Sequence, residues 1–411
     1  MSLRASTPFD RRKLLQGAAS LVGLSTIGLA GCAAVGSTKT LAAPRDDLPV
    51  YDIVPPLAPM RAHVDRLFDI TVCLRPFRAA GPRLDAEQIA NKLVVHNYGH
   101  GGSGWSLSWG SSTIAVRKAM SVSPRKVAVV GCGALGLTSA TLAQAAGAQV
   151  TIYARDLLPE TRSFRATGSW TPDSRIALTS AAAPGFADLW EEMARISFKT
   201  YRRYLGLPGN PVEWTDRYFL SDMSPEEAAA HRPSDPLGFA SYEDRIKDLT
   251  PSAQSLSAGS TPFPTRFVWR TSSMMFNIAD YAHTLLADFL AAGGKIQRNE
   301  FHSLADFAHL KEKVVINCPG YGARALCKDE SIIPVRGQIG WLIPQPEVNY
   351  GLYYNGVSVL SRRDGIVVQE LEGGDMRGYN DANEMIDRSE SEKAVETVAE
   401  LYSRFRSPSN S

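Results

Sequence analysis

The residues Gly131-Cys132-Gly133-Ala134-Leu135-Gly136 form a GxGxxG set between the apolar run Lys126 to Val130 and a stretch of small and apolar residues from Leu135 to Ala146. That spacing suits a pyrophosphate. The first glycine permits a tight turn, the second lets the backbone approach the phosphates, and the third lets a helix pack closely on a strand. The helix N-terminus adds N–H groups and the positive end of its dipole. Followed by a second apolar run, Gln149 to Tyr153, the pattern sits in a βαβ frame and points to dinucleotide binding, with Gly131, Gly133, Ala134, Leu135 and Gly136 as candidate residues. It does not choose between FAD and NAD. A carboxylate for the ribose is expected near residue 154, where the chain reads Ala154-Arg155-Asp156; Arg155 and Asp156 are therefore candidates, with the carboxylate offset.

A second constellation precedes the first. His96-Asn97-Tyr98-Gly99-His100-Gly101-Gly102-Ser103-Gly104 runs on through Trp105 and Ser106 to Ser108-Trp109-Gly110. So many glycines after an apolar strand make a backbone that can wrap closely around a ligand. Two histidines, a tyrosine and two tryptophans argue against a bland surface loop. No Cys, Asp or Glu stands close enough in sequence to complete a metal set with His96 and His100, so no metal is expected.

The elements that must position these residues read as a mixture of strands and helices. Strands are expected at Ile70 to Leu74, Leu93 to His96, Lys126 to Val130, Gln149 to Tyr153 and Lys313 to Asn317. Helices are expected at Ser111 to Met120, Leu135 to Ala146, Ala187 to Leu205, Asn277 to Ala292 (stopped by Gly293-Gly294) and Ser389 to Phe405. Gln338 to Ile343, Gly351 to Tyr354 and Gly365 to Gln369, with turn residues between them, read as an antiparallel sheet. Leu207 to Phe263 is polar and Pro-rich, with scattered short strands. The fold class is α/β: a Rossmann-like domain plus a second domain built on a mostly antiparallel sheet with helices.

At 411 residues the chain has length for about two or three domains. A net charge of +2 and the lack of a basic stripe with interleaved aromatics give no case for nucleic acid and favour a small-molecule partner. Near the front, Asp10-Arg11-Arg12-Lys13-Leu14-Leu15-Gln16 resembles a twin-arginine export signal. It leads into an apolar run, Gly17 to Ala30, too short and too rich in Gly and Ser for a transmembrane helix. Leu29-Ala30-Gly31-Cys32 resembles a lipobox. An exported, cell-envelope protein tethered by lipid on Cys32 is expected, with membrane contact through that anchor alone. Cys73, Cys132, Cys318 and Cys327 lack metal-ligand spacing and are expected as buried thiols.

The block from His96 to Gly110 resembles the signature near the C-terminus of D-amino-acid oxidases and D-aspartate oxidases. Leu74-Arg75-Pro76-Phe77-Arg78 with Gly81-Pro82-Arg83-Leu84 resembles the arginine segment just upstream of it in that family. Thr161 to Trp170 is similar to the family's flavin-contacting loop, and Val315-Ile316-Asn317-Cys318-Pro319-Gly320 to the strand beneath the flavin; Arg336-Gly337-Gln338 and Tyr354-Asn355 follow in the family's order. In those enzymes the dinucleotide motif opens the chain, whereas here it follows the signature. The resemblance covers roughly residues 66 to 405 and implies a circular permutation. The segment 66–120 stands in front, joined to the first Rossmann strand through Ser121-Val122-Ser123-Pro124. It predicts that the helix ending near Phe405 packs close to the strand carrying Arg75. The implied organisation is an export signal with lipobox over 1–32, a linker over 33–65 and an FAD-binding domain over 66–173 (permuted segment 66–120, βαβ 125–173) continued at 271–327. A substrate domain takes 174–270 and 328–405, and 406–411 is a tail.

What the resemblance implies chemically is FAD-dependent oxidation of D-amino acids by oxygen to 2-oxo acids, ammonia and hydrogen peroxide, with hydride leaving Cα for the flavin and no protein base required. Arg75 would grip the substrate carboxylate through two parallel bonds, a geometry a lysine cannot offer. Tyr354 would face the substrate, and Gly102 would direct a carbonyl at its amine. His100, Gly101, Gly102, Ser103, Gly104, Trp105 and Ser106 would lie along the flavin, with Arg162, Ser163, Thr167, Gly168 and Ser169, and Cys318, Pro319 and Gly320. Three positions depart from the family. Its second tyrosine aligns with Ser358, a glutamine beside the flavin with Thr171, and a threonine with Pro319. Ser358 can still donate a hydrogen bond but leaves a wider or wetter pocket. A basic residue reaching a side-chain carboxylate would favour D-aspartate, and nothing in the sequence identifies one. Two other readings stay open: a flavin amine dehydrogenase that passes electrons to a membrane acceptor, and a flavin-binding protein without turnover.

Overall fold

A computed structural model of the chain describes residues 57–231, 234–257 and 260–405. The export signal and lipobox (1–32, with Cys32), the linker up to residue 56 and the tail 406–411 lie outside the described residues. Along the chain come β1 (Leu67–Arg78), β2 (Ala86–Ile89), β3 (Lys92–His96), α1 (Gly104–Met120), β4 (Lys126–Val130), α2 (Ala134–Ala145) and β5 (Gln149–Ala154). Next are α3 (Phe186–Tyr201), β6 (Val212–Ser221), α4 (Pro225–Ala230), β7 (Gln254–Leu256), β8 (Phe267–Phe276), α5 (Ile278–Ala291), β9 (Lys295–Arg298) and β10 (Val314–Asn317). The chain finishes with α6 (Ala323–Leu326), β11 (Ile332–Leu342), β12 (Tyr350–Tyr354), β13 (Val357–Arg362), β14 (Gly365–Glu370) and α7 (Arg388–Ser403).

The uninterrupted apolar strands build a six-stranded sheet in the order β2-β3-β10-β4-β5-β9, parallel except for the antiparallel edge pair β2–β3. Strands with no polar face need cover on both sides. Val127 and Val129 of β4 pack with α1, α2 and α5 on one face. Ala128 and Val130 pack on the other with Phe307, Leu310 and Leu326. The GxGxxG thus follows a central strand.

The second sheet has eight strands in the order β1-β11-β14-β13-β12-β6-β8-β7, antiparallel apart from the parallel pair β12–β6. On one face, Ala394, Val395, Val398 and Leu401 of α7 share an apolar core with Leu67 and Ile70 of β1. The helix ending near Phe405 therefore packs on the strand carrying Arg75.

Several elements differ from their sequence expectation. β1 belongs to the large sheet rather than to the Rossmann-like half, and so does the whole of β8, including 271–276. Helix α1 starts at Gly104 instead of Ser111. Its glycines read as loop, but Gly110 is where α3 crosses: a Cβ there would stand 2.1 Å from the Met193 carbonyl oxygen. β6, a ten-residue strand, lies inside the stretch that read as polar and Pro-rich.

Candidate functional site

The carboxyl ends of β4, β5 and β10 open into a cavity of about 730 Å³ whose opposite wall is the large sheet. A crevice beyond the carboxyl ends of parallel strands is where open α/β sheets bind ligands. Gly131 turns there at φ +102°, and a Cβ would lie 2.3 Å from the Cys318 carbonyl oxygen. Gly136 does not line the cavity. It packs against the turn, where a Cβ would meet the Gly131 carbonyl oxygen at 2.0 Å. At the N-terminus of α2 the Ala134 N–H donates to Ser163 Oγ at 3.1 Å, and Trp105 Nε1 donates to the Ser163 carbonyl at 2.8 Å. The GxGxxG, the 161–169 segment and the glycine block, distant in sequence, are tied together at one residue.

The glycine block forms an adjoining wall. Gly101 adopts φ +54°, with the Arg175 carbonyl oxygen 1.9 Å from where a Cβ would be. His100 is buried, its Nε2 lies 2.7 Å from Ser111 Oγ, and its Nδ1 has no hydrogen-bond partner among the described residues. Burial pushes its pKa down to about 3, so the ring is neutral. His96 points elsewhere: its Nε2 meets Glu87 Oε1 at 2.7 Å. Burial lowers its pKa, with Glu87 pulling the other way. Among the described residues no three His, Cys, Asp or Glu side chains are grouped to hold a metal. The four described cysteines are free thiols.

At the far end of the β5 turn, Arg155 reaches Asp156 through Nη2 at 2.7 Å and Glu300 through Nη1 at 3.4 Å. Hydrogen bonds from Arg155 hold the Asp156 carboxyl below the usual carboxylate range. The offset carboxylate is thus ionised and lines the cavity, already engaged by its neighbour.

Side chains of the large sheet make up the opposite end. Arg75 on β1 lays its guanidinium over Gly337 of β11, where a Cβ would stand 2.3 Å from Nη1. Its one hydrogen bond goes from Nη1 to the Arg336 carbonyl at 3.3 Å, and among the described residues it has no ion pair. Burial pulls its pKa down while Cys73 and the more distant Asp375 oppose the shift. Arg175, by contrast, is neutralised. It donates to the Asp375 and Gly374 carbonyls at 2.8 and 2.9 Å and lies 3.4 Å from the Asp375 carboxylate. Arg217 on β6 reaches Ser169 and Ser358, and Gln369 of β14 accepts from Thr167 at 3.1 Å.

The structure brings most of the expected residues together. Arg75, Gly102, Ser358 and Thr171 line the cavity, as do the candidates of the turn, of 155–169, of 318–320 and of the glycine block, except for Gly136 and Ser103. Ser103 turns away, its hydroxyl donating to the Ser174 carbonyl at 3.1 Å. Tyr354 is a correction. It lies on the opposite face of the sheet, where its hydroxyl donates to Asp222 and accepts from Arg404. Side chains alternate along a strand, so Tyr353, paired with Ser358 across β12–β13, takes the cavity position. Had the cross-strand register been known, Ser358 would have pointed to Tyr353. Arg175 and Arg217 were missed, Arg217 because its strand was hidden in a polar stretch.

A Rossmann-type sheet and an antiparallel sheet facing each other across one shared cavity define a two-part dinucleotide-binding protein. A family profile described as FAD dependent oxidoreductase (DAO) matches residues 126–409. The chain belongs to this FAD-dependent oxidoreductase family, and FAD is its cofactor. The match begins at β4; β1, β2, β3 and α1 lie upstream of it and yet complete both sheets. The chain is 29% identical over 217 residues to a D-amino-acid oxidase of Streptomyces coelicolor, covering 52% of this chain and 58% of that protein. It is 27% identical over 216 residues to one of Dictyostelium discoideum (51% and 55%). It therefore spans little more than half the length of these curated relatives. A 53-residue stretch is 51% identical to a D-aspartate oxidase of Talaromyces thermophilus, 11% of this chain and 14% of that one. Among solved structures, glycine oxidase from Geobacillus kaustophilus overlaps at 14% identity and a TM-score of 0.47, covering 68% of this chain and 78% of that one.

The residues fit a flavin dinucleotide. The turn at Gly131 and the bend at Gly101 leave no room for a Cβ, and two buried polar atoms on the same wall, His100 Nδ1 and Arg162 Nε, have no partner among the described residues.

Proposed function

We propose that the protein oxidises D-amino acids to 2-oxo acids, ammonia and hydrogen peroxide, with oxygen and water as the other reactants. One observation carries this reading: a single cavity runs from the GxGxxG turn to the unpaired guanidinium of Arg75. FAD, when bound, supplies the acceptor for the hydride that leaves Cα. Gly131, Gly133 and the N–H groups at the start of α2 would hold its pyrophosphate, with Ser163 and the glycine block alongside. Arg75 holds the substrate carboxylate, so that the amine-bearing carbon is oriented rather than merely bound, and positioning of this kind supplies a large part of a rate. Tyr353 stays protonated as a donor, since burial raises its pKa. Asp375, the carboxylate whose charge opposes the lowering of the Arg75 pKa, is engaged by Arg175. With that carboxylate engaged and His100 too weakly basic to hold a proton, the amine would enter neutral.

Two further parts of the reading concern the chain's order and location. Residues 66–120 take the place that the family's usual order gives to its C-terminal segment, a circular permutation. Support comes from the family match starting at Lys126 and from Tyr350, whose hydroxyl meets both the Ala58 carbonyl (2.8 Å) and the Tyr402 hydroxyl (2.6 Å). A chain opened between Ser123 and Pro124 and rejoined by a short linker from 405 to 57 should fold and bind FAD as the parent does; failure to fold would argue against the permutation. The export signal and Cys32 would place the protein in the cell envelope on a lipid anchor. Radiolabelled lipid on the wild type but not on Cys32→Ser checks that.

The reaction is tested by stoichiometry under air. One oxygen consumed and one peroxide and one ammonia formed per D-amino acid, with no turnover of the L-enantiomer, is the expected result. Turnover that needs an artificial electron acceptor and forms no peroxide would replace it with a dehydrogenase.

A further inference from the structure

Arg217 is a partly buried cation with no counter-charge among the described residues. Its Nη1 donates to Ser169 Oγ at 3.4 Å and its Nη2 to Ser358 Oγ at 3.2 Å, while Nε is buried with no partner among the described residues. Among the described residues no carboxylate lies within ion-pair distance of it. Burial lowers its pKa with no opposing charge, in contrast to Arg362, where Asp364 opposes the same effect. Guanidinium stays charged in proteins, and burying it unpaired is unfavourable unless an anion arrives.

Arg217 does not share its place with Arg75. The guanidinium of Arg75 lies over Gly337 of β11, and that of Arg217 reaches Ser358 of β13. β14 runs between those two strands, so the strands under the two cations are separated by two strand spacings, about 10 Å. A carboxylate held by a guanidinium sits roughly 4 Å from it, carbon to carbon. A short molecule with a carboxylate at each end therefore bridges the two cations. Of the other arginines that line the cavity, Arg155, Arg162 and Arg175 are each ion-paired, and Arg165 donates to the Val72 carbonyl of β1 at 3.3 Å, on the Arg75 side.

We infer that Arg217 is the specificity-determining residue for a second carboxylate, and that the substrate is a D-amino acid whose side chain ends in one. This rests on the oxidase reading above. Arg75 takes the α-carboxylate and Arg217 the distal one, with the Ser358 hydroxyl steadying the guanidinium. The small residue at 358 has a purpose in this arrangement: it leaves room for Arg217 to cross β12, where Gly351 also stands close to its side chain (a Cβ there would be 3.5 Å from Arg217 Cγ).

The holoenzyme is assayed with D-aspartate and D-glutamate against their amides, D-asparagine and D-glutamine, which match them in shape but not in charge. The kcat/KM for the better acid should exceed that for its amide by about 100-fold or more. Arg217→Gln should collapse that ratio by about 100-fold, chiefly through KM for the acid, and Arg217→Lys, a point charge without the fork, should restore part of it. A wild-type ratio near one, or a ratio that Arg217→Gln leaves unmoved, overturns the inference. The wild-type ratio decides even if a variant does not fold. If no D-amino acid is oxidised at all, the oxidase reading fails separately. Calorimetric titration of the holoenzyme with succinate against butyrate then decides this one: tighter binding of succinate supports it, and equal binding overturns it.

Discussion

The wall built by the small sheet meets its occupant with glycines and helix N–H groups, whereas the wall built by the large sheet meets it with guanidinium groups. At the first, the shape of the backbone is the recognition element: Gly131 and Gly101 are positioned where a Cβ would collide with a neighbouring carbonyl. At the second, Arg75 and Arg217 reach into the cavity from strands far apart in the sheet order, each lacking an ion pair among the described residues. One cavity can thus hold a large ligand by shape at one end and a small one by charge at the other. Substitutions at the two ends should then fail in different ways.

The largest effect is expected at Arg75. Arg75→Leu should lower kcat/KM about 1000-fold, the scale of losing a desolvated, charge-assisted pair, while flavin content stays at the parent level. Steady-state kinetics with the flavin-to-protein absorbance ratio checks both halves, and loss of flavin would break the separation between the ends. Gly131→Ala should do the reverse. A side chain at φ +102° with a carbonyl oxygen at 2.3 Å costs about 2–3 kcal/mol, roughly 100-fold in flavin affinity, read as colourless protein and a lower Tm.

A smaller effect depends on pH. The ordinary pKa of His100, 6.5, applies to the unfolded chain, and burial pushes it to about 3 in the fold. Above pH 6.5 its contribution to stability is whole. Between 6.5 and 3 only the unfolded chain takes up the proton, so stability is lost by about 1.4 kcal/mol per pH unit as pH falls. Unfolding free energies from urea titration of wild type and His100→Gln should change differently between pH 7 and 4.5, by about 2.8 kcal/mol (two units below 6.5 at about 1.4 each). His96, also depressed by burial, contributes in the same direction in both proteins. The smallest contrast lies within one strand: Tyr353→Phe should cost about 10-fold in kcat/KM, and Tyr354→Phe less than about 2-fold. Equal effects would mean that the face assignment of β12 is wrong.

Legibility in the sequence followed the same division. The turn at Gly131, the strands on either side of it and the packing of α2 depend on residues adjacent in the chain, so spacing alone located them. The glycine block was recognisable too, although α1 starts within it, because only the crossing with α3 explains Gly110 as helical. At the charged end the reading was partial. Arg75 was found by resemblance, but Tyr354 was placed one residue off, since a one-residue error in register reverses the face of a strand. Arg217 was not legible, because its strand lies in a polar stretch and its lack of an ion pair among the described residues becomes evident only when the fold has closed.

In the proposed reaction, D-amino acid and flavin meet in this cavity. The most direct test is to mix purified protein anaerobically with D- and L-amino acids and follow the flavin absorbance near 450 nm (about the usual flavin band). Full bleaching by a D-amino acid is expected, none by its L-enantiomer, and a rate that falls steeply in Arg75→Leu. A protein that carries flavin and is bleached by no D-amino acid would contradict it.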